Sequence, residues 1–383
     1  MEGLSLKSNI SASSHLDYIK KRNLNSILNL IHLRGNISRA QVATEIGLSK
    51  TAVSSLVDEL LGKGIVKETG IGNSAAQGGR RSILLNFNAD YRYCLGINVT
   101  CKSTSILISN LDGEIRHYDN YPSAMKVERL LEFIYTSIEK HAIDVKKIAG
   151  MGIVVPGITN VETGTVIESP SMEWADRKLA ACISEFYTFP VFVLNDVDCL
   201  TLGENWIGSA ADLKNVFFVG INDGLGSAMI INGSLYSGSS GQAGEVGYTI
   251  LDTASNDYKR NCLGQYGWLE QTVSGWALQK TGLTIKALFD GYLKNDPEAT
   301  PVVDTFIHNL SIMISNAVAL LNPDCVVIGG SVSEYMGDII PIIRSNVNKF
   351  VPISTEIRMA KLGEKAHHLG AVAYILKNID ITD

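Results

Sequence analysis

The sequence predicts an α/β protein: an N-terminal winged helix-turn-helix domain followed by a larger body of two lobes. Apolar residues recur at helical spacing up to about residue 64, and the pattern then changes. After Asn88, strands and helices alternate in two successive rounds, which is typical of two α/β lobes. We expect domains at 1–88 and 89–383, with lobes of approximately 89–195 plus the last helix, and 196–365.

The helix-turn-helix is indicated by two capping serines. Ser38 and Gln41 have the spacing of a capping box, and the helix that they start should run to Ile46. Ser49 caps a second helix, Lys50–Leu61, which should end at the glycines that follow it. The turn between the two helices is short enough for them to pack against each other.

The second helix has one apolar face and one polar face. Its apolar residues follow helical spacing and should be buried: Val53, Leu56, Val57 and Leu60. A preceding helix has the same pattern and would complete a three-helix core: Leu24, Ile27, Leu28 and Ile31. The small, polar or cationic residues left outside suit a helix in the major groove of DNA: Ser49, Lys50, Thr51, Ser54 and Ser55.

A wing is predicted after this helix. The strand Ile65–Glu68 leads to a tip rich in Gly, Ser and Gln, followed by Arg80, Arg81 and the strand Ser82–Phe87. The two arginines suit contact with phosphate or with a narrow minor groove. The alternative is a small helical subdomain in which this pair is only a solvated turn.

The charge distribution favours DNA binding by the N-terminal part alone. Residues 1–89 carry 11 Lys and Arg against 6 Asp and Glu, whereas the remainder carries 22 against 33. A basic domain on an acidic body confines the attraction for phosphate to that domain. The expected partner is therefore double-stranded DNA, bound by the first 89 residues.

Cysteines and apolar runs indicate a reduced cytoplasmic protein. The six cysteines are scattered singly, without Cys-x-x-Cys spacing: Cys94, Cys101, Cys182, Cys199, Cys262 and Cys325. The N-terminal residues are polar and lack the apolar core of a signal peptide, and we expect no membrane span.

The body is predicted to contain a meander of strands followed by helices, twice. The first round has strands at Tyr93–Val99, Ser105–Ser109, Ile115–Asp119, Ile148–Val155 and Val191–Leu194, with helices at about 126–141 and 176–186. The second has strands at Val216–Gly220, Ser227–Ile231, Ser234–Tyr236 and Cys325–Ile328, with helices near Trp268–Gln279, Pro301–Leu321, Ile339–Phe350 and His368–Leu376. A cleft between two such lobes is the expected ligand site.

Motifs spread over nearly 300 residues carry a family resemblance. In order they are Val155-Pro156-Gly157, Leu194-Asn195-Asp196, Gly203-Glu204, Gly224-Leu225-Gly226, the Gly241–Gly247 block, Gly267-Trp268-Leu269-Glu270 and the 322–331 segment from Asn-Pro to Gly-Gly-Ser. From Tyr93 onward the body resembles the ROK family, which holds sugar kinases and sugar-responsive repressors. With its winged helix-turn-helix, the chain looks like the repressor branch.

The resemblance implies an actin-like ATPase fold of two RNase-H-like lobes and a sugar held by Asn195, Asp196, Glu245 and Glu270. Carboxylates suit this role because they accept hydrogen bonds from neighbouring hydroxyls. An Asn-Asp pair after an apolar strand is also typical of a turn or helix cap, and in isolation we would favour that interpretation. In a kinase of this family, Asp196 would accept the proton of the attacking hydroxyl.

The phosphate loops depart from the kinase pattern. The first loop should read Asp-x-Gly-Gly-Thr, but this chain has Asn98-Val99-Thr100-Cys101-Lys102, without the carboxylate and both glycines. In the second loop, Asn222-Asp223 replaces Gly-Thr and places a negative charge near the phosphates. Lys102 could still meet a phosphate. We predict that the chain is not an enzyme and uses no nucleotide cofactor.

The family's structural zinc site is also expected to be lost. Tyr248 stands at the His position, and Asn261, Leu263 and Trp268 stand at the Cys positions. We expect no metal, with Trp268 and Tyr248 filling the vacated volume. His367-His368 is interpreted as a capping or surface pair.

The leading hypothesis is a sugar-responsive transcriptional repressor of carbohydrate-utilisation genes. A homodimer or tetramer would bind a palindromic operator, and a monosaccharide or sugar phosphate between the lobes would change that binding. One alternative is a regulator that keeps ATP-dependent sugar kinase activity. Another is a DNA-binding dimer whose body docks a protein partner.

Overall fold

The computed structural model describes residues 12–71, 82–251 and 267–382, and the fold divides into two compact units. The first unit takes the described chain up to Arg92, together with Asn110–Asp112 and the segment from Asp380 to Thr382. The second takes Tyr93–Ser109 and Gly113–Ile379. The first unit therefore includes two short pieces that are distant in sequence.

The first unit is a winged helix-turn-helix, as predicted. Its elements are α1 (Ala12–Arg34), β1 (Ile37–Ser38), α2 (Arg39–Ile46), α3 (Lys50–Lys63), β2 (Val66–Ile71) and β3 (Ile83–Phe87). The strands form a sheet in the order β1-β3-β2, with β2 and β3 antiparallel. The strand β1 was not predicted because two residues are too few for a period to be visible.

The predicted caps and core of this unit are confirmed. The Ser38 hydroxyl accepts from the backbone N–H of Gln41, whose side chain accepts in return from the N–H of Ser38 at 2.9 Å. Ser49 caps α3 by accepting from the N–H of Ala52. The helix α3 ends at Gly64, which has a φ of 78°. All eight apolar residues predicted for the three-helix core are buried: Leu24, Ile27, Leu28, Ile31, Val53, Leu56, Val57 and Leu60.

The first lobe of the body is built on a five-stranded sheet. Its elements are β4 (Tyr93–Val99), β5 (Ser103–Asn110), β6 (Ile115–Pro122), α4 (Val127–Lys140), β7 (Ile148–Val155), β8 (Ile158–Asn160), β9 (Thr165–Ser169), β10 (Trp174–Arg177), α5 (Leu179–Ser184) and β11 (Val191–Asn195). The sheet order is β11-β7-β4-β5-β6, in which β4, β7 and β11 run parallel and β6 is antiparallel to β5.

The helix predicted at 176–186 is partly wrong. The helix α5 begins only at Leu179, and Trp174–Arg177 is instead a strand of a small antiparallel sheet in the order β10-β9-β8. Asp176 has a φ of 45°, in the left-handed region, so a helix cannot start there. The strands of this small sheet have three to five residues, too few to show an alternation.

The helix α6 (Asp196–Trp206) leads from the first lobe into the second. The following elements are β12 (Val216–Ile221), β13 (Leu225–Ile231), β14 (Ser234–Leu235), α7 (Gly275–Gln279), α8 (Ile285–Leu293), α9 (Ala299–Leu321), β15 (Cys325–Gly329), α10 (Ile340–Phe350), β16 (Glu356–Met359) and α11 (Ala366–Asn378). The sheet order β14-β13-β12-β15-β16 repeats that of the first lobe: a three-strand meander and two parallel strands.

The long helix predicted at Trp268–Gln279 is wrong. A 3₁₀ turn at Leu269–Gln271 and the short α7 occupy this stretch. The helix is interrupted because the Ser274 hydroxyl caps α7, accepting from the N–H of Ala277, while Gly275 donates to the carbonyl of Asn222. The elements α6, α8 and β16 were not predicted.

The helix α11 packs against α6 and against the strands β4 and β7 of the first lobe. Two glycines allow this close approach. A methyl group at Gly370 would overlap the carbonyl oxygen of Cys199, and one at Gly203 would lie 2.7 Å from the carbonyl oxygen of Ala366. The two helices therefore meet backbone to backbone.

One helix in the described part of the chain is long and apolar enough to cross a membrane by length and composition alone. This helix is α9, and 61% of its apolar window is buried within the protein. Its buried residues belong to the second lobe's core, as Phe306, Leu310 and Ile314 show.

Candidate functional site

The outer face of α3 presents small polar and cationic side chains. Lys50, Thr51 and Ser55 are exposed, as predicted for groove contact. Ser49 is also exposed, with its hydroxyl oxygen accepting a bond in the helix cap. Arg80 and Arg81, the predicted wing contacts, lie outside the described residues.

Ser54 has a partner that the sequence did not indicate. Its hydroxyl accepts from the guanidinium of Arg39 at 2.9 Å, and Arg39 also pairs with Asp58 at 2.6 Å. Arg39, the first residue of α2, thus fixes α2 against α3. The only feature of the sequence that pointed to this contact is a basic residue directly after the capping Ser38.

The four predicted sugar-binding residues lie on two elements and two turns. Asn195 ends β11, and Asp196 begins α6. Glu245 directly precedes a 3₁₀ turn at Val246–Tyr248, and Glu270 lies in the 3₁₀ turn Leu269–Gln271. The charge of Glu245 acts on Asp196 and the charge of Glu270 acts on Glu245, as described below, so Glu245 links the other two carboxylates.

Asn195 has the capping role considered as the alternative for the Asn-Asp pair. Its side-chain oxygen accepts from the N–H of Asp198, and its amide donates to the carbonyl of Gly157 at 2.8 Å. Asn195 therefore ties the start of α6 to the turn that follows the first-lobe strand β7.

Glu270 is a buried carboxylate with 7% of its surface exposed. One of its oxygens accepts from the N–H of Leu225 at 3.0 Å. A methyl group at Gly224 would lie 2.7 Å from the same oxygen, so the Gly-x-Gly loop is needed for the carboxylate to fit. This loop, which resembles a phosphate loop, here binds a carboxylate of the protein itself.

Two of these carboxylates, Asp196 and Glu245, have raised pKa values, chiefly through burial and to a smaller extent through a neighbouring carboxylate. Burial raises the pKa of Asp196 to about 6, although hydrogen bonds from two backbone N–H groups at the start of α6 oppose this. The residue Glu245 is exposed at the surface, yet its pKa is also raised. Partial burial of the carboxylate by nearby protein atoms is the larger cause, and the charge of Glu270 is the smaller one. A cluster of acceptors that repel each other favours a ligand rich in hydroxyl donors.

A fourth carboxylate, Asp198, was missed. Burial raises its pKa to about 7, and the charges of Asp196 and Glu245 add to the effect. The sequence does contain an Asp-x-Asp motif in the first turn of α6, but only its first aspartate, Asp196, was predicted to bind sugar.

Replacing Asp198 by Asn should stabilise the protein at pH 8 and have no effect at pH 4. The folded pKa of Asp198 lies above its unfolded value, so the folded state binds more protons between these values and the free energy of unfolding falls as pH rises. Asn removes the cost of the buried charge, a gain of about 1–3 kcal/mol at pH 8. Denaturant unfolding across this pH range measures the difference; an equal gain at both pH values would contradict the assignment.

A cavity of about 750 Å³ lies between the lobes beside the first loop. Its lining contains hydroxyl and amide groups, among them Asn98, Thr100 and Asn222, and no Lys or Arg of the described chain. Lys102, the candidate phosphate partner, instead pairs with Asp223 at 3.7 Å, and both side chains are largely exposed. The cavity thus offers little to an anionic ligand.

The expectations for the histidine pair and for the vacated zinc volume need correction. His368 is 1% exposed and bonds to the hydroxyl of Ser105 at 2.8 Å, so it is neither a cap nor a surface residue. Burial lowers its pKa to about 3.

The residues expected to fill the vacated zinc volume are only partly placed as predicted. Trp268 packs on the second lobe's core, but Tyr248 is 45% exposed and fills no buried volume. Asn261 and Leu263 lie outside the described residues.

Two family models match the chain. Residues 94–378 match the ROK family, and residues 22–67 match a winged helix-turn-helix DNA-binding domain. A xylose repressor of Caldicellulosiruptor bescii is 30% identical over 94% of this chain and 96% of its own length. The DNA-binding transcriptional dual regulator NagC of Escherichia coli is 24% identical over 87% of this chain and 86% of its own.

A solved structure has the same fold over most of the chain. A ROK family transcriptional regulator, homologous to the Escherichia coli MLC protein, superposes with a TM-score of 0.81 at 23% identity, covering 94% of this chain and 96% of its own. The family match covers most of the chain, and the two repeated sheets agree with it. This chain is a member of the ROK family, with a winged helix-turn-helix preceding the family domain.

Proposed function

We propose that the protein is a sugar-responsive transcriptional repressor of carbohydrate-utilisation genes. A sugar would be held by Asn195, Asp196, Glu245 and Glu270 and would weaken the binding of operator DNA by the first unit. The observation that carries this proposal is the joint presence of the carboxylate cluster and of an α3 face with exposed Lys50, Thr51 and Ser55. The xylose repressor and the transcriptional dual regulator NagC among its relatives support it.

The carboxylate cluster favours a neutral monosaccharide over a sugar phosphate. Asp196, Glu245 and Glu270 would repel a phosphate, whereas sugar hydroxyls donate to carboxylates. Calorimetry of the full chain with xylose, N-acetylglucosamine, glucose and their phosphates tests this point. The proposal expects binding of at least one neutral sugar, and binding of the phosphates alone would contradict it.

DNA binding is assigned to a homodimer or tetramer whose α3 helices enter the major grooves of a palindromic operator. Half-sites about 34–36 Å apart would then lie on one face of the DNA. Ser49, Lys50, Thr51, Ser54 and Ser55 would face the groove, while Arg80 and Arg81 would reach the phosphates or the minor groove. Such a protein would act in the cytoplasm, where its operator is.

Replacing Lys50 by Ala should weaken DNA binding severalfold, to a similar extent on operator and unrelated DNA. A lysine at the helix start suits a phosphate, so the slope of log affinity against log salt should fall by about 1. Lys349→Ala, at an exposed position in α10 of the body, is the matched control and should leave the slope unchanged. An unaltered slope for Lys50→Ala would place α3 away from the phosphates.

We propose that the protein does not act as an enzyme. Asn98 stands where kinases place a carboxylate, and the interlobe cavity has no cationic lining among the described residues. A residual sugar kinase is the second candidate, because Asp196 has a pKa of about 6, which suits a general base. A coupled ATPase assay with the sugar panel distinguishes the two: turnover that Asp196→Asn abolishes would favour the kinase.

A further inference from the structure

The segment that follows α11 belongs to the DNA-binding unit. The carboxylate of Asp380 pairs with Lys21 of α1 at 2.7 Å. Thr382 is 3% exposed, and its hydroxyl lies 3.3 Å from the side-chain oxygen of Asn25, also on α1. The ammonium of Lys63, the last residue of α3, donates to the carbonyl of Thr382 at 2.5 Å. Residues 380–382 therefore join α1 to the end of the helix proposed to read DNA.

The segment also has an internal turn that holds its shape. Asp380 accepts from the backbone N–H of Thr382 at 2.9 Å and from its hydroxyl at 2.6 Å. Burial alone would raise the pKa of Asp380, but the hydrogen bond from Lys21 and then the two bonds from Thr382 lower it to about 2. The pair with Lys21 thus persists through the physiological pH range.

The same segment continues directly from α11. This helix ends at Asn378 and packs backbone to backbone on α6, with Gly370 against Cys199. The first turn of α6 carries Asp196 and Asp198 and is capped by Asn195. A ligand that moves the start of α6 should therefore move α11 as well, because tightly packed backbones move together.

We propose that residues 379–382, the coupling segment, transmit occupancy of the sugar site from α11 to α1 and α3. The inference rests on the proposed function and adds the route by which the sugar changes DNA affinity. A ligand can do this only if the segment's contacts differ in strength between the sugar-bound and sugar-free states. The ion pair of Asp380 with Lys21 and the bond of Lys63 to Thr382 are the contacts that would differ.

The test uses the full chain and measures the ratio of operator affinities without and with the sugar identified by calorimetry. Asp380→Lys should reduce this ratio at least about fivefold while leaving the sugar affinity of the body unchanged. The double variant Lys21→Asp with Asp380→Lys restores the opposite charges but not the acceptor for Thr382, so it should restore part of the ratio. Asp290→Lys breaks an ion pair of equal length in α8 of the body and is the matched control.

The outcomes separate this inference from the proposed function. A wild-type ratio of one would refute the proposed function. A normal wild-type ratio that Asp380→Lys leaves unchanged would refute the coupling segment alone, as would a loss that the double variant does not reverse even in part. If Asp380→Lys does not fold, the milder Asp380→Asn takes its place and must lower the ratio in the same direction.

Discussion

Replacing Glu270 by Gln is expected to weaken sugar binding by about 10- to 150-fold. Glu270 is buried, and Gln keeps an oxygen that can accept from the N–H of Leu225, so the local fold should survive. What is lost is a charged acceptor for sugar hydroxyls, and a hydrogen bond to a charged group contributes about 1.5–3 kcal/mol. Calorimetric titration with the preferred sugar measures the loss.

The control for this experiment is Asp290→Asn, a loss of one negative charge on the exposed surface of α8. That variant should bind sugar as the wild type does. If neither Glu270→Gln nor Glu245→Gln weakens sugar binding, the carboxylate cluster does not hold the sugar. The ligand would then have to lie elsewhere in the body.

Replacing Gly370 by Ala is expected to lower the free energy of unfolding by about 2 kcal/mol or more. Alanine favours a helix by about 1 kcal/mol over glycine, but here its methyl group would overlap the carbonyl oxygen of Cys199. Overpacking costs about 1–3 kcal/mol and sometimes more, and an overlap with fixed backbone lies at or above the top of that range, which leaves a net loss of about 2 kcal/mol or more. Because α6 must shift to make room, sugar affinity should fall as well.

Gly337→Ala is the matched control, since no atom lies within 4 Å of the added methyl group and its backbone has an ordinary φ. Its effect should stay within about 0.5 kcal/mol. Denaturant unfolding of both variants measures the difference. Equal stability of the two would mean that α6 and α11 are not in the close contact described.

The winged helix-turn-helix was predictable because its signals are local. Capping by Ser38 and Ser49 and the spacing of the apolar residues in α3 follow from a few neighbouring residues, and the structure confirms them. The end of α3 was predicted two residues early, since Gly62 is helical and only Gly64 adopts the left-handed conformation. Local composition alone does not distinguish the two glycines.

The body was predictable where strands are long and buried. The boundaries of β4 and β7 agree with the sequence to the residue. The errors lie where tertiary contacts override local pattern. Ser274 and the carbonyl of Asn222 interrupt the helix predicted at Trp268–Gln279, and the left-handed backbone of Asp176 delays α5.

At the candidate site, residue types could be inferred but burial could not. Glu245 and Glu270 were identified through the family motifs, whereas Asp198 was missed because its importance depends on how deeply α6 is buried. His368 was misassigned for the same reason: its bond to Ser105 joins residues 263 positions apart. No local pattern reports such a contact.

Operator affinity of the full chain, measured by fluorescence anisotropy with and without sugar and without any nucleotide, decides whether sugar binding alone controls the repressor. We expect a neutral sugar bound by the body to weaken operator binding at least about tenfold, a coupling within the usual range, and to be recovered unchanged. A sugar that binds the body while operator affinity stays constant, or a response that requires ATP, would contradict this expectation.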